Sequence, residues 1–254
     1  MEDLSVEKKM HYEERGREAA RTLTRAVEEG REAVPPEEER TPLVCKPQKI
    51  ESWRIFKIMQ EFVEGFSLLQ RYGLAATFFG SARCSFEDVL YKQAEELAAR
   101  LAKRGFAVIN GGSTGVMQAS SKGAYEAGGA TVGLNIRLPE EQKINHYLTE
   151  RIQFDHFFVR KVMLTFASEV YIYFPGGFGT LDELLEILTL VQTKKIKKVP
   201  IVLVGREYWS PLITFFKEDL YKKHKAVDEE DLELFALVDT VDEAYDYIVK
   251  NVKC

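Results

Sequence analysis

The sequence predicts an α/β fold, a Rossmann-like doubly wound parallel sheet with helices on both faces, plus an N-terminal helical arm. Three observations carry that prediction. Short apolar runs without polar alternation recur along the chain, as expected of strands buried on both faces. Stretches with apolar spacings of three and four separate them, so strand and helix alternate in the order of a covered parallel sheet. Small-residue loops join several strands to the next helix, outside the carboxyl ends of the strands, where such sheets bind ligands.

Residues 1–50 stand apart, dense in Glu and Arg and ending in a segment that holds Pro35, Pro36, Pro42 and Pro47. Proline cannot continue a helix, so this part reads as a charged, helix-prone arm and a linker ahead of one domain over residues 51–254. From Ser52, the residues Trp53, Phe56, Ile58, Met59, Phe62, Phe66 and Leu69 give a helix an apolar face for the sheet or for a partner. Leu74–Phe79 reads as a strand, Gly80-Ser81-Ala82-Arg83 as a loop, and Leu90, Ala94, Leu97, Ala98 and Leu101 as the face of a helix. The order repeats with Phe106–Ile109 as a strand, Gly111-Gly112 as a turn, Val116–Ala127 as a helix and Thr131–Leu134 as a strand. Val170–Phe174, Pro200–Val204 and Leu234–Val238 are further strands.

At 254 residues and 45% hydrophobic composition the chain can bury one large core. The formal net charge is -5 and basic residues are spread along the chain, which argues against a nucleic-acid partner. Cys45, Cys84 and Cys254 are odd in number and in no CxxC pair, so neither a disulfide framework nor a zinc knuckle is expected, and a reducing cytoplasm fits. His11, His146, His156 and His224 are scattered without ligand spacing, so no metal is assigned, and no cofactor is called for. The segment Met1–Met10 has no apolar signal core, and no run of about 18 apolar residues suggests a membrane span.

The sharpest motif is Pro175-Gly176-Gly177-Phe178-Gly179-Thr180-Leu181-Asp182-Glu183, between an apolar strand and a helix whose buried face is read as Leu181, Leu184, Leu185 and Leu188. Glycines let backbone come close to a ligand, and the free N–H groups and dipole of a helix start favour an anion. With no lysine after the last glycine this is not a Walker A loop, and a monophosphate fits better than a triphosphate. Thr180 to Glu183 also spells a T-x-x-E capping box, in which Glu183 would merely satisfy the helix start, although such a cap does not need three glycines. Glu186 lies one turn on, on the face of Glu183. Arg160-Lys161 reads as a basic pair at the start of a helix, where it opposes the macrodipole unless an anion compensates. Gly111-Gly112-Ser113-Thr114-Gly115 could add backbone donors to the same ligand or be a tight βα turn.

These residues resemble the Lonely Guy (LOG) family, type II branch, the cytokinin riboside 5'-monophosphate phosphoribohydrolases once labelled possible lysine decarboxylases. Pro175–Glu183 matches its PGGxGTxxE signature, and FGSAR (79–83), GGSTGVM (111–117), GLNIRLPEEQKINHY (133–147), FFVRKVM (157–163) and Gln192-Thr193 agree with it, from about Ser52 to the C-terminus. The resemblance implies that Gly176, Gly177, Gly179 and Thr180 hold the 5'-phosphate and that Arg160 and Glu183 are the catalytic pair. Glu183 would stabilise the charge developing on the ribose or orient water, and Arg160 would neutralise the departing base or fix Glu183. Glu186, Lys161, Ser81, Arg83, Gly112 and Met117 are implied as further substrate contacts, and a homodimer or larger homo-oligomer is implied as the assembly. The family loop usually reads GGGPGIMEAAN, whereas Ser113, Thr114, Gln118 and Ser120-Ser121 stand here, so substrate preference could differ. The decarboxylase label has no support, since no feature singles out a cofactor-bearing lysine. A non-catalytic protein that holds a nucleotide or a pterin-type cofactor is the competing expectation; both need the glycine loop, and only hydrolysis needs Glu183 and Arg160.

Overall fold

The computed structural model describes residues 51–138 and 145–253, together with Glu18, Arg21 and Arg25, which are helical and exposed. The rest of the proposed arm and linker, with its prolines, Cys45 and His11, lies outside the described residues, as do Cys254 and residues 139–144 of the GLNIRLPEEQKINHY segment. The chain divides into two compact units, Met1–Lys49 and Ile50–Cys254, and the fold below is that of the second.

Its elements run α1 (Ser52–Leu69), β1 (Ala75–Phe79), α2 (Val89–Lys103), β2 (Ala107–Asn110), α3 (Val116–Glu126), β3 (Thr131–Ile136), β4 (Glu150–Phe154), α4 (Phe157–Thr165), β5 (Val170–Tyr173), α5 (Phe178–Gln192), β6 (Ile201–Val204), α6 (Arg206–Phe215), β7 (Ala236–Val238) and α7 (Val241–Asn251). A π-helical stretch, Phe216–Lys223, and a 3₁₀ stretch, Glu229–Glu233, follow α6. The seven strands form one parallel sheet in the order β4-β3-β2-β1-β5-β6-β7. The chain therefore builds outward from β1 in one direction and, from β5, in the other. That reversal puts a crevice beside the carboxyl ends of β1 and β5.

The apolar strands explain the layering. Successive side chains point to opposite faces, so Tyr171 and Tyr173 enter one core while Val170, Ile172 and Phe174 enter the other. The first core is completed by Leu68 of α1, Val159 and Met163 of α4, Leu184 and Ile187 of α5, and Trp209 of α6. The second is closed by Tyr91 and Leu97 of α2, Val116 and Ala119 of α3, and Ala244 and Ile248 of α7. Each fully buried large side chain contributes roughly 1.5–3 kcal/mol. Trp209 also places its indole N–H on the Val204 carbonyl at 3.1 Å, so its one polar atom is satisfied inside the core.

Sequence reading located six of the seven strands to within a residue or two. It missed β4, an edge strand whose sequence ERIQF presents Arg151 and Gln153 to solvent. An edge needs no continuous apolar run, and Glu150 is held instead by Arg71 and by Tyr72, whose hydroxyl donates to it at 2.8 Å.

Candidate active site

The loops after β1, β2 and β5 are laced together by backbone groups. Ser81 N–H donates to the Pro175 carbonyl (2.9 Å), Val116 N–H to the Ser81 carbonyl (2.9 Å), and the Thr114 hydroxyl to the Ala82 carbonyl (2.8 Å). Buried Asn110 holds the middle loop from below: its side-chain amide donates to the Met117 carbonyl and to the hydroxyls of Ser120 and Ser121, and its Oδ1 accepts from Gly112 N–H. The serines that depart from the family's usual loop are thus part of the loop's internal support. Gly112 and Gly115 have positive φ, and a Cβ on Gly115 would lie 2.1 Å from the Ser81 carbonyl oxygen. Only glycine fits there. Asn135, against Gly112, donates to its carbonyl at 3.2 Å, while its own Oδ1 is buried without a donor.

The third loop is built differently. Helix α5 starts at Phe178 with Gly177 as N-cap and no side-chain cap, so Thr180 is already inside the helix and the alternative reading of Thr180 to Glu183 as a capping box does not hold. In this first turn Thr180 N–H already donates to the Gly177 carbonyl at 3.0 Å, and the N–H groups of Phe178 and Gly179 stand ahead of the helix's own hydrogen bonds. Gly176 is wedged, since a Cβ there would meet Thr180 Oγ1 at 2.1 Å; Gly177 and Gly179, in contrast, face open space. Tyr208, in the first turn of α6, donates its hydroxyl to the Gly176 carbonyl at 2.5 Å and fixes that end of the loop. The buried face of α5 also differs from the expectation. It runs through Thr180, Glu183, Leu184, Ile187 and Val191, and Leu185 is exposed. Thr180 and Glu183 occupy inward positions that a purely apolar reading gives to leucines.

The charged side chains of α4 reach two of these loops, Arg160 the one after β2 and Lys161 the helix after β5. Helix α4 begins at Phe157, so Arg160 and Lys161 sit in its middle rather than at its start. Arg160 Nε donates to the Leu134 carbonyl at 2.8 Å, and the guanidinium lies against Gly111, where a Cβ would be 2.6 Å from Nη2 and 2.8 Å from Met117 Sδ. Among the described residues no carboxylate lies within 4 Å of Arg160; burial lowers its pKa, and the charge of Glu183 offsets part of that. Lys161 instead faces three carboxylates, with Nζ 2.5 Å from Asp182 Oδ2, 3.1 Å from Glu186 Oε2 and 3.8 Å from Glu183 Oε1. Burial pushes the Glu183 carboxyl up to about 7; Lys161 and Arg160 pull it down, and Glu186 and Asp182 add to the rise.

The structure therefore brings Gly176, Gly177, Gly179, Thr180, Glu183, Glu186, Arg160, Lys161, Gly112 and Met117 to one rim. Ser81 reaches it through the backbone, and its hydroxyl accepts the Arg83 N–H at 3.1 Å, while the Arg83 side chain is exposed. Sequence pattern alone does not single out Asp182 or Tyr208. Asp182 lay unassigned inside the motif, and Tyr208 sits in no motif and is brought in by the return of the chain through β6. No group of three or more His, Cys, Asp or Glu able to hold a metal occurs among the described residues, and no described helix is long and apolar enough to cross a membrane.

Comparison with known proteins bears on the family and the fold. The family model described as "Possible lysine decarboxylase" matches residues 117–248. The chain is 32% identical over 164 residues to cytokinin riboside 5'-monophosphate phosphoribohydrolase LOG5 of Arabidopsis thaliana, covering 63% of this chain and 67% of that one. It is 30% identical over 182 residues to the probable phosphoribohydrolase LOGL6 of Oryza sativa subsp. japonica, covering 69% and 68%. Among solved structures, the molybdenum cofactor carrier protein of Chlamydomonas reinhardtii superposes with a TM-score of 0.52 at 25% identity, over 70% of this chain and 99% of that one. The glycine loop, the paired basic residues and these matches lead to one conclusion: the chain belongs to the family described as possible lysine decarboxylase, that of the LOG phosphoribohydrolases.

Proposed function

We propose that this protein hydrolyses the N-glycosidic bond of a nucleoside 5'-monophosphate, AMP or an N6-modified AMP of cytokinin type, to free base and ribose 5-phosphate. The observation that carries the reading is a buried carboxylate poised near neutrality on the helix that follows the glycine loop, together with a desolvated guanidinium that, among the described residues, has no carboxylate within 4 Å. A largely desolvated, unpaired guanidinium is costly without an anionic partner, and such groups concentrate at functional sites.

In this reading the 5'-phosphate sits at the first turn of α5, where Gly177 and Gly179 leave room and the N–H groups of Phe178 and Gly179 stand ahead of the helix's own hydrogen bonds. The ribose then lies over Glu183. As the C1'–N bond breaks, positive charge develops on the sugar, and the Glu183 carboxylate stabilises it while accepting a proton from the water whose oxygen bonds to C1'. A carboxyl with its midpoint near 7 is matched to that proton transfer at neutral pH. Arg160 faces the charge left on the departing base, which takes up a proton from solvent water as Glu183 returns its own to solvent, so that the products are the neutral base and ribose 5-phosphate. A pairing of subunits and a cytoplasmic setting belong to the same proposal; the wide exposed apolar stripe of α1, with Phe56, Met59 and Val63, supports the first.

The likeness to a cofactor carrier favours a second reading, in which the site holds a nucleotide or pterin-type ligand without cutting it. One assay separates the two: release of base and ribose 5-phosphate from a panel of nucleoside monophosphates by the wild-type protein and by Glu183→Ala. Base release that falls at least 100-fold in the variant, on the order expected for loss of a general base, supports the hydrolase. Tight binding with no release from the wild type overturns it in favour of the carrier.

A further inference from the structure

We propose that Lys161 is a positioning residue that works through Glu183, its ammonium holding Glu183 in the ionised, base-competent form while Glu186 opposes it, and that Lys161 is not a substrate contact. This rests on the reading that Glu183 carries the reaction.

The geometry is that of a cation already committed. Lys161 reaches from α4 into a gap on α5 bounded by three carboxylates, and its side chain is only 20% exposed. It donates a hydrogen bond to Asp182 Oδ2 at 2.5 Å. Glu186 Oε2, 3.1 Å away, is paired with it electrostatically but without hydrogen-bond alignment. Glu183 Oε1, at 3.8 Å, lies beyond hydrogen-bond reach, so Lys161 acts on it through its field and leaves the carboxylate lone pairs free for water. Burial pulls the proton affinity of Lys161 down, but the surrounding carboxylates more than offset this, so the side chain stays charged.

The groups around Glu183 are few and come from three elements. Helix α5 supplies Asp182 and Glu186, both of which favour the protonated acid; α4 supplies Lys161 and Arg160, both of which favour the carboxylate. From β5, Tyr173 donates its hydroxyl to the Glu183 main-chain carbonyl at 3.2 Å and, being buried, stays neutral. Asp182 is more than half exposed and so weakly felt. Burial raises Glu183 most, and the charges that then tune it are led by an opposed pair, Lys161 and Glu186, so neutralising one must move it in the direction opposite to neutralising the other.

The test reads Glu183 directly by carboxyl carbon-13 NMR of glutamate-labelled protein, with Glu183→Gln identifying the signal. In Lys161→Met the titration midpoint of Glu183 should move to higher pH by about one pH unit or more; in Glu186→Gln it should move lower by about half a unit to one unit. Lys161→Arg, which restores the charge, should lie within about 0.3 of the wild type. If Lys161→Met does not fold, Glu186→Gln and Lys161→Arg decide the matter. A midpoint unmoved in Glu186→Gln and Lys161→Met, or a Lys161→Met variant whose KM for AMP rises while its midpoint stays put, overturns the proposal. The acidic limb of kcat/KM for base release should follow the NMR midpoint. If the wild type releases no base from any nucleotide, the hydrolase reading falls, while the NMR shifts still decide whether Lys161 governs Glu183.

Discussion

Two loops on the same rim have nearly the same composition and different reasons for it. In the loop after β2, Gly112 and Gly115 have positive φ and are hemmed in by Asn135 and by the Ser81–Ala82 backbone, so glycine is demanded by the fold. In the loop after β5, Gly177 and Gly179 have negative φ and nothing within 4 Å of where a Cβ would be. The fold does not need glycine at these two positions, and Gly179 lies inside a helix that alanine would favour. A glycine kept where the protein itself does not require one marks space held for something else. The two loops teach that a glycine-rich strand-to-helix turn becomes a site signature only when the room it leaves is empty.

The comparison breaks most visibly at Gly115. Gly115→Ala combines a left-handed backbone with a clash against a carbonyl oxygen and should cost roughly 3–5 kcal/mol, read as a large drop in the urea midpoint; a midpoint near that of the wild type would show that the β2 loop is not constrained as described. A smaller effect sharpens the contrast at the helix behind the other loop. Because Glu183 titrates near 7 when folded and near 4.5 when unfolded, it favours the folded state at low pH, and that contribution is lost as pH rises through 7. Glu183→Gln should thus be more stable than the wild type at pH 8, by up to about 3 kcal/mol, with the gap closing towards pH 4.5; thermal melts at several pH values measure it. The smallest change in stability is expected at Gly179. Gly179→Ala should gain about 0.5–1 kcal/mol yet weaken binding of ribose 5-phosphate about tenfold, near 1.4 kcal/mol. Calorimetry showing unchanged affinity would remove the basis for the distinction.

Much of this was legible in the sequence because it rests on local pattern. Unalternating runs such as Val170–Tyr173 announce strands buried on both faces, and the loop with Gly176, Gly177 and Gly179 announces a helix start that leaves room for an anion. What escaped was set by tertiary context. β4 is polar because it closes an edge. The inward face of α5 passes through Thr180 and Glu183, which no hydrophobic periodicity marks as buried. Arg160 and Lys161, adjacent in sequence and read as one basic pair, part company in space: one lies over Gly111 with no carboxylate within 4 Å among the described residues, the other is enclosed by carboxylates. Adjacent residues on a helix point about 100° apart, so a pair in sequence need not be a pair in function.

The central place of β1 also bears on how the chain is made. β1 is complete by residue 79, yet its partner on one side, β5, begins only at residue 170. At about 5–20 residues per second of synthesis, that edge waits roughly 5–20 s for its neighbour. During that time a strand destined to be wholly buried, Ala75–Phe79, offers an open row of backbone donors and acceptors to any other nascent chain. The strand that anchors the first loop of the site is thus the stretch most exposed to mispairing on the ribosome.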